Sequence, residues 1–200
     1  IPVPAAPEKA GYPFAGWKAA DGTVYAADKL PAMGAADATY EAVYSAGDVT
    51  YTVETYTMNP DGEYALVATA CTGTTDETVT AEYTVSEGFA LNEEKSILSG
   101  VVAADGSLVL KVYIDRKTFA FTTDIDGVKT STDYLYGAEI EKPATPEKVG
   151  YEFTGWSVQI PDTMPAENVT VTANWIANSY DVIFNANGGS WSDGTTRKTI

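Results

Sequence analysis

Asp124 and Asp126, two residues apart and followed by Gly127, have the spacing with which a calcium loop begins, alternate carboxylates reaching toward one cation. The pattern stops there. Val128-Lys129-Thr130 supply no further carboxylate and the distal Glu is missing, so a hairpin turn is the better reading. Glu93-Glu94 are the nearest approach to an acid–base pair, but glycoside hydrolysis needs two carboxylates facing each other across a cleft, and solvated charge is expected of neighbours in a loop. Cys71 has no histidine anywhere in the chain to activate it, so a small buried side chain at the end of a strand is expected rather than a nucleophile. Trp191, in Gly188-Gly189-Ser190-Trp191-Ser192-Asp193-Gly194, is the candidate ligand-binding residue: a loop indole can stack on a sugar ring. No catalytic residue, metal or cofactor is expected.

Composition narrows the classes further. Twelve Lys and Arg against 28 Asp and Glu give a formal charge of -16, a field that repels phosphate backbones and anionic lipid, so nucleic acid is not an expected partner. The single cysteine allows no internal disulfide, and without histidine the commonest general base and metal ligand are both missing. No run of 18 apolar residues predicts membrane insertion, and no initiator Met or signal segment stands at the start, which reads as an interior segment of a larger protein.

The elements that must position these residues are strands. Tyr, Thr and Val are abundant, and tight-turn dipeptides recur at Asp21-Gly22, Asp61-Gly62, Asp105-Gly106, Asp126-Gly127, Asn187-Gly188 and Asp193-Gly194. Most should join antiparallel strands, because Asx-Gly supplies the positive φ angles that two-residue hairpin loops demand. Val49, Tyr51, Val53 and Thr55 alternate with Thr50, Thr52, Glu54 and Tyr56, and Tyr64 to Ala70 should pair back on that strand. Leu108, Leu110, Val112 and Ile114 form the clearest buried face, with Lys111 and Tyr113 pointing the other way. A short helical turn is expected around Asn92 to Lys95.

One stretch occurs twice. Pro4-Ala-Ala-Pro7-Glu8-Lys9-Ala-Gly11-Tyr12-Pro-Phe14-Ala-Gly16-Trp17 returns as Pro143-Ala-Thr-Pro146-Glu147-Lys148-Val-Gly150-Tyr151-Glu-Phe153-Thr-Gly155-Trp156, at an offset of 139. Farther along, Asp37 to Tyr44 matches Asn168 to Trp175 at an offset of 131, so the first copy holds eight extra residues, placed near Asp21-Gly22 as an elongated hairpin. Tyr180 to Gly188 parallels Phe119 to Gly127 at an offset of 61, beginning a third, partial copy. Trp17, Trp156 and Trp175 fall on repeat positions and are expected to anchor each module's core.

These motifs, a Tyr-x-Val-x-Phe-like strand, Asn-Gly-Gly, Pro-x-x-Pro and Gly-Tyr-x-Phe-x-Gly-Trp with a closing Trp, resemble the Listeria/Bacteroides repeat, also called the internalin B-type repeat. Tyr44 replaces the closing Trp of the first copy, and Asp124-Ile-Asp126-Gly127 replaces Asn-Gly-Gly in the second. The intervening segment, with Tyr51-Thr-Val53, Asp61-Gly62-Glu-Tyr64, Gly88-Phe89 and Asp105-Gly-Ser-Leu-Val-Leu-Lys-Val-Tyr113, more loosely resembles MucBP-like repeats. The resemblance implies a mainly β chain (α+β, β-grasp-like small modules) arranged in tandem as an elongated rod. It further implies that residues 1–45 are the C-terminal half of one repeat, 46–117 a MucBP-like module, 118–177 a complete repeat, and 178–200 the N-terminal half of another. It also implies a non-catalytic stalk of an extracellular, secreted or cell-wall-attached bacterial adhesin-like protein, with a host glycan-binding or mucin-binding module as the alternative. Neighbouring repeats are the expected partners, joined by short linkers such as Ile176 to Ser179, with a host glycan or protein as ligand of the alternative. The 61 offset carries Ile140 to position 201 while the 139 offset carries it to Ile1, so the terminal halves have complementary phase and head-to-tail self-association is expected.

Overall fold

The computed structural model describes residues 3–32, 34 and 36–200; Ile1 and Met33, two reference points of the repeat alignment, lie outside the described residues. The chain divides into two compact units, Ile1–Lys117 and Thr118–Ile200.

In the first unit β1 (Phe14–Ala19), β2 (Val24–Tyr25) and β3 (Tyr40–Tyr44) form an antiparallel sheet in the order β2-β1-β3. The short β2 is what the eight extra residues build: Asp21-Gly22 turns the chain so that Trp17 faces Tyr25. After it come β4 (Asp48–Met58), β5 (Tyr64–Thr74), β6 (Thr78–Thr80), β7 (Phe89–Leu91), β8 (Ser99–Val101) and β9 (Val109–Arg116). Four of these form a sheet in the order β5-β4-β9-β7, in which β4 and β9 run parallel, and β6 pairs with β8. Alternation sets its inner face as the sequence predicts, with Tyr51 and Val53 of β4 packed on Leu110, Val112 and Ile114 of β9 and on Ala81 and Val102.

The second unit holds β10 (Thr118–Ile125), β11 (Val128–Leu135), β12 (Tyr151–Trp156) and β13 (Val169–Ala177) in the order β11-β10-β13-β12, with β10 and β13 parallel. This repeats the plan of the β5-β4-β9-β7 sheet: a leading hairpin, then a parallel return strand, then an antiparallel strand on its far side. Asp126 and Gly127 have φ angles of 55° and 86°, the two positive values that a two-residue loop between Ile125 and Val128 requires. Phe121, Ile140, Met164 and Val171 make the core. A final hairpin joins β14 (Ile183–Asn185) to β15 (Arg197–Thr199), with no strand paired to its outer edges among the described residues.

Sequence expectations are corrected at five points. The described residues contain strands and no helix, so the α+β element is replaced by an all-β fold. Near Asn92 a single turn closes, Ser96 N–H donating to the Asn92 carbonyl at 3.1 Å, and the bridge of Ile97 to Lys111 ends it at once. Asp105-Gly106 joins β8 to β9, which are not paired with each other, because β9 takes its partners from β4 and β7. Cys71 lies inside β5, half-buried opposite Tyr51, and Ile176 and Ala177 are strand residues of β13 rather than linker.

Candidate functional site

The duplicated motif builds the same cluster twice. Phe14 meets Trp17 edge to face at 5.2 Å and Tyr44 at 6.1 Å. Phe153 meets Trp156 at 5.4 Å and Trp175 at 5.6 Å. In a regular strand residues three apart point to opposite faces; the bulges between Phe14 and Gly16 and between Phe153 and Gly155 bring each Phe and Trp to one side. The indole N–H groups of Trp17 and Trp175 are buried without a hydrogen-bond partner, so packing holds these rings.

Beside each cluster a turn carries a lysine over the rings. Tyr12 N–H donates to the Lys9 carbonyl and Tyr151 N–H to the Lys148 carbonyl, at 2.9 and 3.1 Å. Gly11 and Gly150 sit third in these turns with φ of 71° and 80°, a position that favours glycine. Lys9 Nζ lies 4.0 Å from the Tyr12 ring centre and 5.5 Å from that of Tyr44. Lys148 Nζ lies 4.4 Å from Tyr151 and 5.6 Å from Trp175, and also pairs with Asp126 at 2.7 Å. The lysines that line the shallow grooves along these turns are therefore already engaged with aromatic faces.

Trp191 sits in the β14–β15 loop, half-buried, its backbone N–H donating to the Thr195 carbonyl at 2.9 Å. Lys198 Nζ lies 5.6 Å from its ring and 2.9 Å from Asp193. The Thr195 hydroxyl and N–H, with Lys198 behind them, hold the Asp193 carboxyl down at about 2. Asp124 accepts from Gly127 N–H at 2.9 Å, which is the work of a turn residue, and Glu93 and Glu94 are exposed. Among the described residues no three His, Cys, Asp or Glu side chains gather closely enough to hold a metal ion.

One constellation escaped the sequence reading. On the outer face of the β5-β4-β9-β7 sheet Tyr56 and Tyr113 stack at 4.3 Å, with Tyr64 edge-on to Tyr113 at 5.2 Å. Tyr64 donates to Asp115, which also accepts from Asn92, and Lys95 Nζ lies 3.0 Å from the Tyr64 hydroxyl. The hydrogen bond to Glu54 pushes the Tyr56 hydroxyl up to about 12. Alternation does place Tyr56 and Tyr113 on the outer face, but only the parallel register of β4 on β9 sets them opposite each other.

The geometry defines a class first: repeated small β modules whose shared aromatic and lysine positions pack against one another. Within that class the chain carries internalin B-type repeats, residues 118–179 matching the divergent InlB B-repeat domain and residues 1–43 the Listeria-Bacteroides repeat domain. It is similar to internalin H of Listeria monocytogenes serovar 1/2a, 37% identical over 82 residues, which are 36% of this chain and 15% of that protein. It is also similar to a protein of Evansella cellulosilytica described as "Putative membrane protein", 30% identical over 105 residues, 48% of this chain and 16% of that one. The chain thus spans about one-sixth of the length of these curated relatives.

Proposed function

We propose that this chain is a non-catalytic stalk or spacer segment of a bacterial surface protein, extracellular and either secreted or wall-attached, of the adhesin-like kind. The observation that carries the reading is the duplicated aromatic cluster: both copies use their shared aromatic positions for internal packing. The relatives, named an internalin and a membrane protein, support a surface location. The strand order common to the two four-stranded sheets supports β-grasp-like modules in tandem, residues 46–117 among them as a MucBP-like repeat. A charge of -16 keeps neighbouring stalks apart.

The alternative is a host glycan-binding or mucin-binding module. The stacked Tyr56 and Tyr113 favour it, since such a pair on a sheet face offers a stacking surface, and Trp191 is the second place where a sugar ring could sit. Small-angle scattering with a glycan array decides between the two readings. An elongated particle that retains no glycan is the result expected of a stalk. Retention abolished by Trp191→Ala or Tyr113→Ala would establish the binding module instead.

A further inference from the structure

β5 stands at the edge of the β5-β4-β9-β7 sheet, and β11 holds the same place in the β11-β10-β13-β12 sheet; neither has a strand on its outer side among the described residues. Each shows six consecutive residues exposed on both faces, 65–70 and 128–133. Their compositions are opposite. The β11 run, Val128-Lys129-Thr130-Ser131-Thr132-Asp133, carries two charges and three hydroxyls, the guard of an edge that stays in water. The β5 run, Ala65-Leu66-Val67-Ala68-Thr69-Ala70, carries no charge, and Leu66 and Val67 are 51% and 63% exposed. No Asp, Glu, Lys, Arg or Pro stands anywhere in the 11 residues of β5, in a chain of net charge -16.

The backbone of β5 turns alternate residues outward. At the hairpin Asn59 N–H donates to the Glu63 carbonyl at 2.7 Å, and the register that follows pairs Thr57 with Ala65, Thr55 with Val67 and Val53 with Thr69. Hydrogen-bonded pairs recur at every second residue of an antiparallel ladder, so these β5 residues spend their N–H and C=O groups on β4. Thr52 points the other way, its N–H donating to the Leu108 carbonyl at 3.0 Å. Tyr64, Leu66, Ala68, Ala70 and Thr72 therefore direct their backbone groups to the open edge. The run stops at Thr74, whose carbonyl accepts from Glu77 N–H at 3.0 Å.

We infer that this edge pairs with β5 of a second copy of the chain, antiparallel about a two-fold axis, with Ala68 opposite Ala68 of the second copy. The outward-facing set is symmetric about that residue, which fixes the register: Leu66 meets Ala70, Tyr64 meets Thr72, Val67 meets Thr69 and Ala65 meets Cys71, each pair joining the two copies. Every outward group from Tyr64 to Thr72 then finds a partner, about ten hydrogen bonds at two for each hydrogen-bonded pair. Leu66 and Val67 gain cross-strand neighbours. A second copy fits because the strand is its own complement and sets no like charges opposite each other, on a molecule whose net charge of -16 repels another copy elsewhere. Salt should therefore strengthen the contact. The same patch serves both copies, so association closes at the dimer. The inference goes beyond the stalk and glycan-binding readings, since a segment of either kind would pair through this strand.

Sedimentation velocity of the full chain up to about 1 mM reads the association, a range suited to a contact of one strand pair. A monomer–dimer equilibrium that strengthens with salt and stops at the dimer is expected. Ala68→Pro removes the donor at the two-fold axis from both copies, at an edge position where a sheet tolerates proline, and should weaken dimerisation at least about tenfold. Near-UV circular dichroism of the Tyr56–Tyr113 stack, unchanged in that variant, would show that the sheet is intact. A second variant tests the register and leaves the hydrogen bonds of the edge alone. Ala65 and Cys71 of the second copy form a non-hydrogen-bonded pair, whose Cα atoms stand about 4.5 Å apart and within disulfide reach. Ala65→Cys should therefore oxidise to a covalent dimer linked from the introduced thiol to Cys71 of the second copy. In the wild type the two Cys71 side chains lie about 20 Å apart in this register and should stay unlinked. A chain that remains monomeric throughout, even one whose edge takes up an added foreign peptide, would overturn the proposal. So would a series growing past the dimer, dimerisation indifferent to Ala68→Pro, or an Ala65→Cys dimer joined only from Cys71 to Cys71 of the second copy.

Discussion

The first copy of the repeat and the second share their turns, bulges and aromatic clusters, yet they differ in what lies underneath. Residues 118–177 enclose Phe121, Ile140, Met164 and Val171, all nearly inaccessible. Among the described residues 3–44 no large hydrophobic side chain is buried to that degree. The first copy is held instead by the module that follows it. Thr75, itself 2% exposed, donates its hydroxyl to the Gly11 and Gly47 carbonyls at 2.8 and 3.1 Å, and Tyr12 donates to Asp76 at 2.6 Å. The difference teaches that the Lys-x-Gly-Tyr-x-Phe-x-Gly-Trp motif specifies a local shape, a turn followed by a bulged strand. The hydrophobic core comes from elsewhere in the repeat, from the leading hairpin and from Ile140 and Met164.

The sharpest way to break this comparison is to remove core volume. Met164→Ala leaves a cavity in the second copy and should lower the stability of the Thr118–Ile200 unit by about 3 kcal/mol, leaving the transition of the first unit in place. Tyr40→Ala, at the position equivalent to Val171, is half-buried and should cost only about 1 kcal/mol. Denaturation followed separately by probes in each unit checks both values.

Paired glycine substitutions come next. Gly11 and Gly150 share a positive φ, so Ala at either costs about 1–2 kcal/mol in backbone conformation. A Cβ on Gly11 would stand 2.7 Å from the backbone and side chain of Ala104, whereas one on Gly150 meets nothing within 4 Å. Gly11→Ala should therefore be the worse of the two by about another 1–3 kcal/mol. The same asymmetry separates Gly16, whose Cβ would stand 2.4 Å from the Tyr25 carbonyl, from Gly155, which has open space. Equal losses within either pair would show that the two copies are supported alike.

Strand content, the position of most hairpins, the buried face of β9 and the duplicated motif were legible in the sequence because each follows from local rules of alternation and turn chemistry. Pairing partners were not. Asp105-Gly106 has the composition of a hairpin turn, but β9 pairs in parallel with β4, a long-range choice that no dipeptide encodes. The Thr75 contact with Gly11 joins residues 64 positions apart and leaves no trace in either local pattern. The tyrosine stack required that same parallel register, and the expected turn at Asn92 stayed a single turn because β9 claims Ile97.

Two smaller effects sharpen the picture. Thr75→Val keeps the shape but removes the hydroxyl shared by two carbonyls, each of which retains a backbone bond, so the cost should be about 1 kcal/mol in the first unit. Asp193 has its folded pKa held at about 2, below its ordinary 3.8, so its contribution to the β14–β15 loop is present above about pH 4 and lost as pH falls through about 2. The Thr195 amide signal followed by NMR across that range should move with this titration, while the Val171 amide should not.

Native-state hydrogen exchange tests the central contrast most directly. Strand β13 is paired on both sides and should exchange slowest in its unit, through global opening, whereas β3, paired among the described residues only with β1, should exchange at least about a hundredfold faster through local opening. Equal protection of β3 and β13 would contradict the account, since the first copy would then be as well supported as the second.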